Sequence, residues 1–101
     1  MNNKLIRIDT WSGAYLVLNV DTFFPCSKSR LTALYRQFLR DSRRDETIPE
    51  ILTQLRQKKY DMKCYFARFE NPNLEMKKSR AFTMLISNIN QLKGYIHENK
   101  R

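Results

Sequence analysis

Apolar residues follow a two-residue period up to about position 20 of this chain and a helical period beyond position 27. In residues 4 to 11 (KLIRIDTW), Ile6 and Ile8 oppose Leu5, Arg7 and Asp9, and residues 14 to 20 (AYLVLNV) are denser still in strand formers. Ser12-Gly13 between them forms a two-residue hairpin spacer. The pattern predicts a β-hairpin within residues 1–20. Its apolar face needs cover from later elements, because an isolated hairpin is marginal in water.

Asp21 to Cys26 breaks the alternation at Pro25, with Phe23 and Phe24 as anchors into a core. Ser27 or Ser29 then caps a first helix, predicted over 27–44. Leu31, Leu34, Tyr35, Phe38 and Leu39 recur at helical spacing on one side, with Arg36, Arg40 and Arg43 on the other. Thr47, with Pro49 and with Glu50 three residues on, has the form of a capping box for a second helix, 47–70. Ile48, Ile51, Leu52 and Leu55 form its face. Residues 63–70 read as continued helix or as a third strand, and helix is preferred because no Gly or Pro interrupts them. Asn71-Pro72-Asn73 is a turn. A third helix over 74–98 carries Ala81, Leu85, Ile89, Leu92 and Ile96, widened by Phe82 and Ile86. The expected architecture is α+β within one domain spanning 1–101: a hairpin packed on three helices, the last two forming an antiparallel helical hairpin.

Composition adds a sign. The 42% apolar content is enough for a core, and the net charge is +9. Segment by segment, residues 1–27, 28–46, 47–70 and 71–101 contribute 0, +3, +2 and +4. Such a field draws in polyanions over about 8 Å at physiological salt. Cys26 and Cys64 are the two cysteines, with no C-x-x-C pattern, which suggests free thiols in a reducing cytoplasm. Arg7 and Asp9 interrupt any secretory leader, and no apolar run approaches the roughly 18 residues of a membrane span. A cytoplasmic protein without membrane contact is expected.

Candidate catalysts are few. His97 is the single histidine, near the end of the chain, with no nucleophile fixed beside it. With two distant cysteines the chain lacks a set of zinc ligands, and neither Gly13 nor Gly94 belongs to a phosphate-cradling loop. Glu50, Asp61, Glu70 and Glu75 could hold a cation in a nuclease, and Asp61-Met62-Lys63 has a D-x-K form, although this arises readily by chance in a lysine-rich chain. The expectation is a protein without cofactor, metal, small-molecule substrate or enzymatic activity.

Three basic clusters carry the remaining signal: Arg36, Arg40, Arg43 and Arg44 on the first helix, Arg56, Lys58, Lys59 and Lys63 on the second, and Lys77, Lys78 and Arg80 at the start of the third. Each phosphate neutralised by such groups releases counterion. The last cluster would also add its charge to a helix N-terminus. The partner expected is DNA or RNA, in an accessory or regulatory role. A helix-turn-helix is only loosely approached, since Asp41 to Glu46 is longer than that motif's turn and contains no glycine. Tyr15, Tyr35, Tyr60, Tyr65 and Trp11 could stack on single-stranded bases, but their spacing favours core positions. The competing expectation is a protein-interaction module or inhibitor of a nucleic-acid-processing protein, docking or dimerising through the broad apolar face of residues 81–96.

Overall fold

A computed structural model describes residues 5–9 and 12–99, with side chains up to residue 96. Two strands open the chain, β1 (Leu5–Asp9) and β2 (Tyr15–Asn19), paired antiparallel with Ile6 opposite Leu18 and Asp9 opposite Tyr15. Between the described parts of the strands, Gly13 has the positive φ of 90° that a turn at the expected Ser12-Gly13 spacer uses. Thr10 and Trp11 lie outside the described residues.

One face of the hairpin is covered as its alternation requires: Ile6, Ile8 and Leu18 are buried. The opposite face, carrying Leu5, Arg7, Tyr15 and Val17, is open. A single turn, α1 (Val20–Phe23), follows, because the Asn19 side chain accepts the Asp21 and Thr22 N–H groups at 3.0 and 3.3 Å. Phe24 is the deeper of the two phenylalanine anchors, fully buried, while Phe23 packs partly against the core and carries Arg30 over its ring at 4.6 Å.

Helix α2 (Lys28–Phe38) starts where Ser27 Oγ accepts the Arg30 N–H at 3.2 Å and buries Leu31, Leu34 and Phe38. It ends six residues short of the expected boundary at residue 44. Leu39 is exposed, and the chain turns at Asp41, whose buried carboxylate accepts the Arg43 N–H at 2.9 Å and lies 3.0 Å from the Thr47 hydroxyl that donates to it. Helix α3 (Arg44–Phe66) accordingly begins before Thr47, which is an interior, buried residue and not a cap. Pro49 falls in the second turn, where the acceptor it leaves unbonded belongs to Asp45, and both residues are on the exposed side. Residues 63–66 are helical and 67–71 turn, so no third strand forms there.

The predicted helix 74–98 is two helices, α4 (Pro72–Lys78) and α5 (Arg80–Asn99). Asn71 caps the first by accepting the Leu74 N–H at 3.2 Å. Ser79 breaks the run in an extended conformation and restarts it, its Oγ accepting the Phe82 N–H at 3.1 Å. A serine hydroxyl competes with the helix backbone for such donors, which makes it a natural point of interruption.

The core forms where α3 and α5 pack as an antiparallel pair, with Phe66 near the end of one meeting Phe82 near the start of the other at 5.8 Å. Helix α2 and the hairpin close over the two. Asn88, wholly buried on α5, joins the N-terminal third to this pair: its Oδ1 accepts the Cys26 N–H at 2.9 Å and its Nδ2 donates to the Cys26 carbonyl at 3.0 Å. Two turns further along α5, Tyr95 stacks on Tyr35, with rings 3.6 Å apart and nearly parallel.

Candidate nucleic-acid interface

The ten predicted phosphate contacts divide by what each side chain already does. Three are occupied within the fold. Lys58 Nζ donates to the Asp21 and Phe24 carbonyls at 3.2 and 3.1 Å and lies 3.5 Å from the Asp21 carboxylate. It is the cation that closes the exposed end of α1. Arg44 is half-buried, with Nη1 donating to the Leu39 carbonyl at 3.3 Å. Arg43 pairs with Glu46 at 3.2 Å, and that hydrogen bond raises its pKa above the ordinary guanidinium value.

The other seven, Arg36, Arg40, Arg56, Lys59, Lys77, Lys78 and Arg80, have no carboxylate within 4.0 Å among the described residues. All but half-buried Lys59 are exposed. Arg36 lines an open depression on α2 with Lys28, Ser29, Thr32 and Ala33. Arg40 lies in the turn after α2, and Arg43 and Arg44 at the start of α3, so the first cluster spans a helix-to-helix corner and not one helical face. Lys77 and Lys78 occupy the last turn of α4 instead of the first turn of a longer helix. The dipole there favours cations rather than a bound anion, and of these three only Arg80 stands at a helix start.

Two of the free cations on α3 flank an aromatic ring. Arg56, Tyr60 and Lys63 follow one another at i, i+4 and i+7, a single stripe parallel to the helix axis, with Ala67 at the C-cap continuing it at i+11, and all four are exposed. Tyr60 is 62% accessible. Hydrogen bonding with Cys64, one turn further on, holds its phenol above the usual pKa. Asp61 lies off this stripe and accepts a hydrogen bond from Gln57 Nε2 at 2.9 Å. Tyr15 and Tyr65 are also about half accessible, the first beneath Arg7 at 4.0 Å and the second in a corner with Phe69 and Arg68. Of the five candidate stackers, then, Tyr35 is in the core as expected, Tyr15, Tyr60 and Tyr65 are not, and Trp11 lies outside the described residues.

The apolar face of residues 81–96 is covered in part inside the chain. Leu85, Ile89 and Leu92 are buried, and Phe82, Met84 and Ile86 are half-buried. The His97 side chain lies outside the described residues. Among those described, no group of three or more His, Cys, Asp or Glu could hold a metal ion, and no helix is long and apolar enough to cross a membrane.

Comparison with known proteins finds no matching family model, no similar curated protein and no similar solved structure.

Proposed function

We propose that the protein is a non-catalytic nucleic-acid-associated factor, accessory or regulatory, that holds DNA or RNA by its phosphates in the cytoplasm. The observation that supports this reading is the set of seven cations free of carboxylate partners on a chain of net charge +9. Cations engaged in the fold would release no counterion on contact with phosphate, whereas free ones do.

The test is affinity for DNA and RNA oligomers as a function of salt. Binding at about 50 mM salt should weaken steeply and linearly on a log-log scale. Replacing Arg36 and Arg40 by alanine together should reduce the duplex slope by about 1.8, from about 0.9 per phosphate contact. Absence of any complex at low salt refutes the reading.

A second reading, a protein-interaction module, draws support from the hairpin. Leu5, Tyr15 and Val17 are each more than half exposed on its open face, an apolar patch of the kind that marks protein contacts. It predicts a partner that co-purifies through nuclease treatment and high salt, and that is lost on Val17→Lys. A complex that dissolves with nuclease refutes it.

A further inference from the structure

Within the nucleic-acid reading, on which this inference rests, we propose that the Arg56–Tyr60–Lys63 stripe of α3, continued by Ala67 at its C-cap, is a track for single-stranded nucleic acid, with Tyr60 as the platform for one base. The stripe rises about 6 Å from Arg56 to Tyr60 and about 4.5 Å from Tyr60 to Lys63, so an aromatic ring stands between two cations along one line. Both cations are free of carboxylate partners, and among the described residues Tyr60 has no aromatic neighbour. This is the combination that single-strand binding requires: positive charge that follows the backbone and a ring that accepts any base face. Ala67, one turn beyond Lys63, offers no bulk against a strand leaving the track.

A duplex suits the stripe less well. Its base faces are covered by its own stacking, and reading its major groove takes side chains that hydrogen-bond base edges. The centre of the stripe is a phenol ring, and the neighbouring Gln57 amide is already bonded to Asp61. An acidic peptide would use Arg56 and Lys63 but would gain little from the ring.

The experiment compares fluorescence-anisotropy affinities of the full chain for oligo-dT, oligo-rU, a duplex of equal length, and heparin, a polyanion without bases. The single strands should bind more tightly than the duplex at equal salt. Tyr60→Ala should weaken single-strand binding by about 5- to 150-fold without changing the salt slope, while leaving heparin binding unaltered. Tyr60→Phe, which keeps the ring, should bind like the parent chain. Arg56→Ala and Lys63→Ala should each lower the single-strand slope by about 0.7. All are exposed positions, and far-UV circular dichroism checks the fold of each variant. If every polyanion binds and Tyr60→Ala binds as the parent does, or the duplex is preferred, the single-strand track is overturned and phosphate binding stands. If nothing binds at about 50 mM salt, the nucleic-acid reading itself fails and this inference falls with it.

Discussion

Replacing Asn88 by alanine tests the main connection between the two parts of the fold. The Asn88 amide makes both of its hydrogen bonds to one residue, Cys26, which is itself buried. Truncation leaves the Cys26 N–H and C=O without partners and without water, at about 1 to 3 kcal/mol for each group, or about 2 to 6 kcal/mol together. The total stability of a domain this size is about 5 to 15 kcal/mol, so the variant should fold but marginally. At about 3 kcal/mol the melting temperature falls by roughly 12 to 24 °C. Urea denaturation followed by circular dichroism gives the difference. Asn88→Leu, which fills the space without the hydrogen bonds, should be nearly as unstable, which separates lost bonds from lost volume. The Cys26 amide should also exchange with deuterium much faster in either variant. A change below about 0.5 kcal/mol, the usual range for surface substitutions, would refute the argument, as would unaltered exchange at Cys26.

Three further outcomes follow from other contacts. Asp41→Ala removes the carboxylate acceptor of the Arg43 N–H and the Thr47 hydroxyl, and should cost about 2 to 4 kcal/mol in urea denaturation; parent-like stability would show that the α2–α3 turn does not depend on it. Lys58→Ala should destabilise the fold by about 1 to 2 kcal/mol while leaving the salt slope of nucleic-acid binding unchanged, because that cation is committed to the Asp21 and Phe24 carbonyls; a reduced slope would make it a phosphate contact after all. Burial pushes the Cys26 thiol up, with Arg30 opposing more weakly. The unfolded chain therefore loses this proton first, and the contribution is intact below about pH 8.5 and declines as pH rises above it. Relative to Cys26→Ala, the parent should lose stability across that window, and a pH-independent difference would contradict the assignment.

Much of the fold is legible in local patterns, and the departures share a cause. The alternation at Ile6 and Ile8 and the helical spacing of Leu31, Leu34 and Phe38 each report a face buried by the fold, and each is found buried. Boundaries were less legible because they depend on side chains that bond to backbone. Leu39 continues the apolar spacing of α2, yet Asp41 turns the chain there through bonds to Arg43 and Thr47, residues whose own pattern imitates a helix start. Ser79 interrupts a continuous apolar period with neither Gly nor Pro; the available signal was a capping residue three positions before Phe82. Of the candidate interface, the identity of the cations was legible but not their engagement. Nothing local to Lys58 reveals two carbonyls that approach from more than thirty residues earlier in the chain. Spacing alone groups Tyr60 with the core tyrosines, because it does not separate the side of α3 that α5 covers from the side it leaves open.

The scarcity of ion pairs has a thermodynamic consequence of its own. Three are present among the described residues, and in each at least one partner is mostly exposed, so they add little that salt could screen away. Self-repulsion among the unpaired cations works against the compact state, and added salt relieves it. Rising ionic strength should therefore raise the urea midpoint of the free protein over the same range in which it dissociates a nucleic-acid complex. The two effects have opposite signs, so loss of binding at high salt reports on the phosphates and not on unfolding.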